Sequence, residues 1–229
     1  MRAQTASRAA RRGRRAAWAL ALHLAAAACP AAASEPEDMT AVGPLVAAVR
    51  QRLIAGSLFQ TEFVQVNRWA AFSEPDTARG RLTLAPPDRF VLEYREPPGQ
   101  RIGSDGSFVW TFVPEERQVV RAPLDDTTGW GDFFVRGLET PADSFGRVER
   151  RAPWGEVVRV RLLPREEWGL EGLYVEIAAE ARLPVGYGYT DAEGNAADFV
   201  FTRPRFPEAV GDTLFRFRVP AGHELFEAR

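Results

Sequence analysis

Residues that could carry out catalysis are few in this chain and do not cluster along it. Of the two histidines among the 229 residues, His23 falls in an N-terminal apolar run and His223 stands alone beside the C-terminus. A lone histidine is a weak candidate for a general base when no partner accompanies it. We therefore interpret His223 as a structural or solvent-exposed side chain.

Known catalytic and metal-binding motifs are also missing from the sequence. There is no G-x-S-x-G elbow, no H-E-x-x-H helix, no phosphate-binding glycine loop and no His/Cys set with zinc-ligand spacing. Asp88, Asp105, Asp125 and Asp126 fall in predicted turns, where aspartate is favoured because it hydrogen-bonds nearby backbone. We predict no catalytic residue, no metal site, no cofactor and no enzyme activity; an exported hydrolase remains the most distant alternative.

The first 33 residues have the pattern of a secretory signal peptide. Five arginines between positions 8 and 15 precede an apolar run, Ala16–Ala28, and Ala31–Ala33 fits a small-residue cleavage site. The run is shorter than the roughly 20 residues that a membrane span needs. We expect export and a single mature domain at 34–229. Cys29, the only cysteine, is either a lipid-attachment residue or is lost with the signal peptide, and we favour its loss.

The charge of the predicted mature chain limits its partners. Removing residues 1–33 leaves 23 basic against 31 acidic residues, a net charge of −8. A net acidic domain argues against nucleic acid as a partner. It also argues against tight charge-driven adhesion to anionic membranes.

One amphipathic helix is predicted near the start of the mature chain. In residues 41–56, Leu45, Val49 and Leu53 form an apolar stripe at helical spacing, and Pro44 suits the first turn. Such a helix needs a surface to cover. The strands that follow it are predicted to supply that surface.

The stretch from Gly80 to Leu124 is predicted to form a β-meander of four short strands. Apolar residues alternate in three runs, and turn residues such as Asp105-Gly106 separate them. We expect the alternating residues to share one aromatic face of the sheet. These residues are Leu82, Leu84, Phe90, Leu92, Tyr94, Phe108, Trp110 and Phe112.

The rest of the chain adds further short strands and one irregular segment. A strand is predicted within 57–71, and others at 145–151, 156–163, 173–178, 184–190, 197–202 and 213–218. Between them, 125–141 carries Trp130, Phe133, Phe134 and Leu138, which indicates either a flap over an apolar site or a plain connector. The fold class is mainly β with helices: an incomplete, curved antiparallel barrel of about ten to eleven strands covered by a helical lid.

Aromatic residues are abundant for a domain of this size, with 15 Phe and 6 Trp in the chain. An ordinary core accounts for most of them. The alternative is a barrel too wide for its own side chains to fill, and such barrels hold an apolar ligand.

Several spaced motifs resemble the LolA family of periplasmic lipoprotein carriers. They are Phe59-Gln60 with Phe63 and Gln65, Gly80-x-Leu82, Pro87-x-x-Phe90, the run from Pro97 through Ser104-Asp105-Gly106 to Trp110, Pro114 with Gln118-Val119, and Phe215-x-Phe217 with Pro220 and Gly222. The resemblance covers most of the mature chain in the family's order.

This resemblance implies a half-barrel and a helical lid that enclose the acyl chains of lipoproteins. It implies a periplasmic, monomeric carrier that takes cargo from an inner-membrane lipoprotein-releasing transporter and passes it to an outer-membrane acceptor. We expect the cavity and lid to be lined by Leu45, Val49, Leu53, Phe63, Leu82, Leu84, Phe90, Leu92, Tyr94, Trp110, Phe112, Phe133 and Phe134.

One position departs from the family pattern. The family often has an arginine before its P-x-x-F strand, where it serves cargo transfer and lid contacts, but this chain has Pro86, and Arg89 is the nearest candidate substitute. Two further hypotheses stay open: a carrier of another lipid, and an envelope scaffold or sensor of the same fold that acts through protein contacts.

Overall fold

The computed structural model describes residues 42–54, 58–124, 142–164 and 166–228. The predicted signal peptide at 1–33, with Cys29, lies outside these ranges. So does the 125–141 segment, with Phe133 and Phe134.

Helix α1 spans Val42–Ile54 and confirms the predicted helix. Its buried side chains are Val42, Val46, Val49 and Leu53, so the stripe runs at spacings of three and four residues along one side. Within the described part of the chain, no helix has the length and apolar character needed to cross a membrane.

Within the described residues, twelve strands form one open sheet. They are β1 (Phe59–Arg68), β2 (Asp76–Ala85), β3 (Arg89–Glu96), β4 (Arg101–Asp105), β5 (Phe108–Val113), β6 (Gln118–Pro123), β7 (Ala142–Arg151), β8 (Gly155–Leu162), β9 (Leu170–Ala178), β10 (Leu183–Asp191), β11 (Ala196–Arg205) and β12 (Glu224–Glu227). The mainly β fold class is confirmed, with twelve strands instead of the expected ten to eleven.

Two antiparallel meanders make up this sheet. The strand order is β12-β6-β5-β4-β3-β2-β1-β11-β10-β9-β8-β7, so the meanders β1–β6 and β7–β11 join where β1 pairs with β11. The stretch from Gly80 to Leu124 contributes to five strands, one more than predicted. The edge strand β12 pairs with β6 in parallel.

The turn between β4 and β5 forms where the sequence predicts a hairpin. The Asp105 carboxylate accepts hydrogen bonds from the backbone amides of Ser107 and Phe108, both at 2.9 Å. Gly106 takes a φ of 99°, which is readily adopted only by glycine. Asp105 is therefore a turn residue in this structure, as expected.

The predicted strand at 213–218 is wrong. Asp212–Phe215 forms a short 3-10 turn, and the chain then continues extended without joining the sheet. The alternation of Leu214, Phe215, Arg216 and Phe217 indicates an extended chain with one buried side. The alternation does not show whether the extended chain is a strand of the sheet or lies across the face of the sheet.

Candidate functional site

The candidate site is the face of the sheet on which α1 lies, here called the inner face. One cluster of buried side chains joins the helix to strands of both meanders. Strand register places Leu82 opposite Leu92 and Leu84 opposite Phe90. These four predicted residues therefore share a face, as the sequence analysis expected.

The helix covers this face with aliphatic side chains. Val49 is fully buried and Leu53 is 8% exposed, while Leu45 is partly buried against the same cluster. Full burial of a Val or Leu side chain stabilises the fold by about 1.5–3 kcal/mol. The structure thus brings the predicted helical stripe onto the predicted strands.

Aromatic rings meet at the centre of the inner face around Phe63. Its ring centroid lies 5.2 Å from that of Tyr94, edge to face, and 5.5 Å from that of Phe199. Phe63 also lies over Gly80, where an added β-carbon would come within 2.7 Å of the Phe63 ring. A side chain at position 80 would push this ring away, which explains the glycine of the G-x-L motif.

Two polar side chains of the inner face, Tyr94 and Gln65, are hydrogen-bonded. The Tyr94 hydroxyl donates to Gln65 Oε1 at 2.8 Å, and Gln65 Nε2 donates to Asn67 Oδ1 at 2.7 Å. Burial, followed by the nearby Tyr189, raises the pKa of Tyr94 far above its ordinary value, so this phenol stays neutral. Among the described residues, the one buried side chain that carries a charge is Glu176, which lies on the other face.

The prediction that Phe108, Trp110 and Phe112 share the face of Phe90 and Leu92 is wrong, because all three pack in a separate cluster. Register places Gly103 opposite both Val91 and Trp110, so Trp110 shares a face with Val91 and not with its neighbours Phe90 and Leu92. Trp110 and Phe112 are buried on the opposite, outer face in a separate cluster with Phe215 and Phe217. They therefore do not belong to the site covered by α1.

Arg89, the possible transfer residue, also points away from the helix. It alternates with the inward Phe90, and its guanidinium carbon lies 5.0 Å from the centroid of the Phe215 ring. The cation at the helix is Arg52, which donates from Nη1 to the carbonyl oxygen of Ala181 at 3.0 Å. Arg52 also lies 4.5 Å over the Phe206 ring and so ties the end of α1 to the second meander.

Several inner-face residues of the second meander were missed from the sequence. Tyr187 and Phe199 stack with centroids 4.4 Å apart, and Phe201 lies beside Tyr187. The signal was the alternation Gly186-Tyr187-Gly188-Tyr189, in which glycines occupy one face and aromatic residues the other.

Those glycines accommodate a polar network on the outer face. Gly186 lies against the Glu176 carboxylate, and an added β-carbon there would approach Oε2 to 2.7 Å. Glu176 accepts hydrogen bonds from Arg151 at 2.5 Å and from Arg159 at 2.7 Å. Burial raises the pKa of Glu176, but these two arginines outweigh burial and hold the pKa below its ordinary value.

Comparison with known proteins gives concordant matches. A family model described as "Outer membrane lipoprotein carrier protein LolA" matches residues 57–218. An outer-membrane lipoprotein carrier protein of Methylococcus capsulatus is 26% identical over 73% of this chain and 80% of its own length. One from Chromobacterium violaceum is 24% identical over 88% of this chain and 95% of its own.

A solved structure supports the fold independently of the carrier sequences. An uncharacterized conserved protein from Thermus thermophilus superposes with a TM-score of 0.52 at 15% identity, over 82% of this chain and 99% of that one. At this identity the likeness concerns the fold alone.

Proposed function

The chain belongs to the LolA family of outer-membrane lipoprotein carrier proteins, and from this premise we propose that its inner face binds the acyl chains of lipoproteins. Proteins of this family are carriers and not enzymes, which confirms the sequence prediction on activity. The observation that carries the proposal is an inner face without buried charge among the described residues, covered by a helix that contributes only aliphatic side chains.

Acyl chains can replace the helix on this face because the two make the same kind of contact. Each buried CH₂ contributes about 0.8 kcal/mol, so even one acyl chain offers a driving force comparable to the burial of the helical stripe. Binding would displace Val46, Val49 and Leu53 from the rings around Phe63. On release of the cargo, these three side chains would return to the rings. The helix therefore competes with the cargo and limits its affinity.

The wider cycle is proposed on the same premise. The protein would act in the periplasm after loss of residues 1–33, as a monomer. It would receive lipoproteins from an inner-membrane transporter and deliver them to an outer-membrane acceptor. Arg89 lies on the outer face and does not contact α1, whereas Arg52 lies on the helix itself. We propose that the contacts of Arg52 with Ala181 and Phe206 hold α1 against the sheet when no cargo is bound.

A matched pair of leucines tests the acyl site. Leu45 is partly buried against the inner cluster and Leu58 against the outer one. The purified protein is loaded with bis-ANS, which is then displaced by a triacylated peptide. Leu45→Gln should tighten the apparent affinity for the peptide about fivefold, because the helix that the acyl chains must displace loses about 1 kcal/mol of apolar contact with the inner face.

Leu58→Gln is the control and should leave displacement unchanged. Near-ultraviolet circular dichroism establishes that both variants keep the native packing. An unacylated peptide of the same sequence should displace nothing. If the wild-type protein fails to bind the acylated peptide, or if both variants change the affinity equally, the inner face is not the acyl site.

A further inference from the structure

The C-terminal segment 210–219 crosses the outer face and carries exposed arginines in alternation with buried rings. Phe215 and Phe217 are 3% and 8% exposed, whereas Arg216 and Arg218 are exposed. Alternate side chains of an extended chain point to opposite sides. Seating the two rings on the sheet therefore turns both arginines outward.

Stacking and close packing hold this segment in place. Phe217 lies parallel to Trp110, with centroids 6.0 Å apart and planes 8° from parallel. Gly103 leaves the space for it, since an added β-carbon would come within 2.8 Å of the Phe217 ring. Arg101 donates to the carbonyl oxygen of Leu214. The outward arginines are thus presented by a rigid support.

A cleft of about 530 Å³ lies beside this segment, here called the arginine cleft. Arg89, Arg216 and Arg218 line it together with the edges of Phe215 and Phe217. Arg89 is held over the Phe215 ring, which orients its guanidinium group. Three arginines therefore line one concavity on the face opposite the proposed acyl site.

Two acids, Asp105 and Asp212, also line the cleft, and three arginines against two acids leave it with a net positive charge. Asp105 accepts hydrogen bonds from two backbone amides and, through Oδ2, from Trp110 Nε1 at 2.8 Å, so both of its oxygens are occupied. Asp212 is the only other acid among the described residues that line the cleft. Across the described ranges, no carboxylate lies within salt-bridge distance of Arg89, Arg216 or Arg218.

We propose that the arginine cleft is a binding site for a phosphate ester, either a soluble one or the headgroup of an anionic lipid. Guanidinium forks bind phosphate oxygens in bidentate fashion. Three guanidinium groups are available at the cleft to bind the acceptor oxygens of the phosphate. The volume falls in the range of small-ligand sites, which favours a compact group over an extended acidic peptide.

The test measures binding of defined probes to the purified protein at low ionic strength. Calorimetry follows inorganic phosphate and glycerol 3-phosphate, and sedimentation follows vesicles of phosphatidylglycerol against vesicles of phosphatidylcholine. Arg216→Gln/Arg218→Gln should weaken the binding of whichever phosphate probe binds by at least about tenfold, since two of the three cations are gone. Binding of the soluble phosphates alone would support the site and identify its ligand as a soluble phosphate ester. Binding of phosphatidylglycerol vesicles alone would support the site and identify its ligand as a lipid headgroup.

The control is Arg150→Gln/Arg161→Gln, which removes the same charge from two exposed positions on β7 and β8. It should bind as the wild type does, and circular dichroism should show both double variants folded. Three results overturn the proposal: no phosphate probe binds, the control loses as much affinity as the cleft variant, or hexaglutamate competes as well as glycerol 3-phosphate. The bis-ANS assay reads the inner face separately, so this proposal and the acyl proposal can fail independently.

Discussion

The two faces of the sheet are both apolar in the first meander, but they are covered in different ways. The inner face is covered by α1, whose buried side chains are aliphatic, and the end of the helix is held by the exposed Arg52. The outer face is covered by the C-terminal segment, whose rings stack on Trp110 and fit over Gly103.

Under the proposed function, this difference separates a removable cover, α1, from a permanent one, the C-terminal segment. Aliphatic side chains lying on aromatic rings make non-directional contacts that an acyl chain can imitate. The Trp110–Phe217 stack and the close approach over Gly103 depend on one ring in one position. The proposed carrier function needs an exchangeable cover on one face and a rigid sheet behind it, and the two covers would meet those needs separately.

The largest expected effect comes from disturbing the permanent cover. In Gly103→Ala the new β-carbon would meet the Phe90 carbonyl oxygen at 2.4 Å and the Phe217 ring at 2.8 Å. We expect the free energy of unfolding to fall by about 3 kcal/mol, measured by urea titration. Gly172→Ala is the control, because its nearest neighbour is Thr190 Cβ at 3.7 Å. Equal stability of the two variants would show that the Phe217 ring yields to the new β-carbon and is not held rigidly over Gly103.

An intermediate loss of stability is expected from the polar network of Glu176, Arg151 and Arg159 on the outer face of the second meander. Glu176→Gln keeps the shape of the side chain but leaves Arg151 and Arg159 without a charged acceptor, at a cost of about 2 kcal/mol at about pH 7. The exposed Glu156→Gln on β8 should leave the free energy of unfolding, measured by the same urea titration, unchanged.

The pH dependence of this effect follows from the lowered pKa of Glu176. A carboxyl group with a folded pKa below its unfolded value, about 4.3, stabilises the fold above that value and loses its contribution as the pH falls through the folded pKa. The stability difference between wild type and Glu176→Gln should therefore shrink below about pH 4. A difference that stays constant down to about pH 3 would contradict the assigned ion pairs.

The smallest expected effect concerns the removable cover. Arg52→Gln removes the hydrogen bond to Ala181 and the contact with Phe206. Because the side chain is exposed, we expect helix amides at 42–54 to exchange with deuterium only about two- to fivefold faster, with β3–β5 unchanged. Arg161→Gln provides the charge-matched control. Faster exchange throughout the sheet would mean that the helix and the sheet open together.

Sequence reasoning predicted the strands well because their alternation is local. Helix α1, the strand β1 with Phe59 and Phe63, and the Asp105-Gly106 turn all depend on residues close in the chain. The inner-face set Phe63, Leu82, Phe90, Leu92 and Tyr94 lies in one buried cluster with the helix, and its role in lining a ligand cavity stays a prediction.

The error at Trp110 and Phe112 arose where alternation is weakest. In β4, Arg101-Ile102-Gly103-Ser104-Asp105 carries no clear apolar period, so the phase between β3 and β5 cannot be read across it. The short connection after Asp105 then pairs Ser104 with Val109 and turns Trp110 to the outer face. A shift of one residue in register exchanges the faces of every side chain on a strand.

By itself, the sequence determined most of the elements, their hairpin connections and the family, because these depend on spacing between nearby residues. Only the tertiary structure decided which aromatic residues face the helix and which face the C-terminal segment. It also brought Arg89, Arg216 and Arg218 to one cleft. Period-two alternation states that neighbours lie on opposite faces of a strand, but the pairing of distant strands decides which face is which.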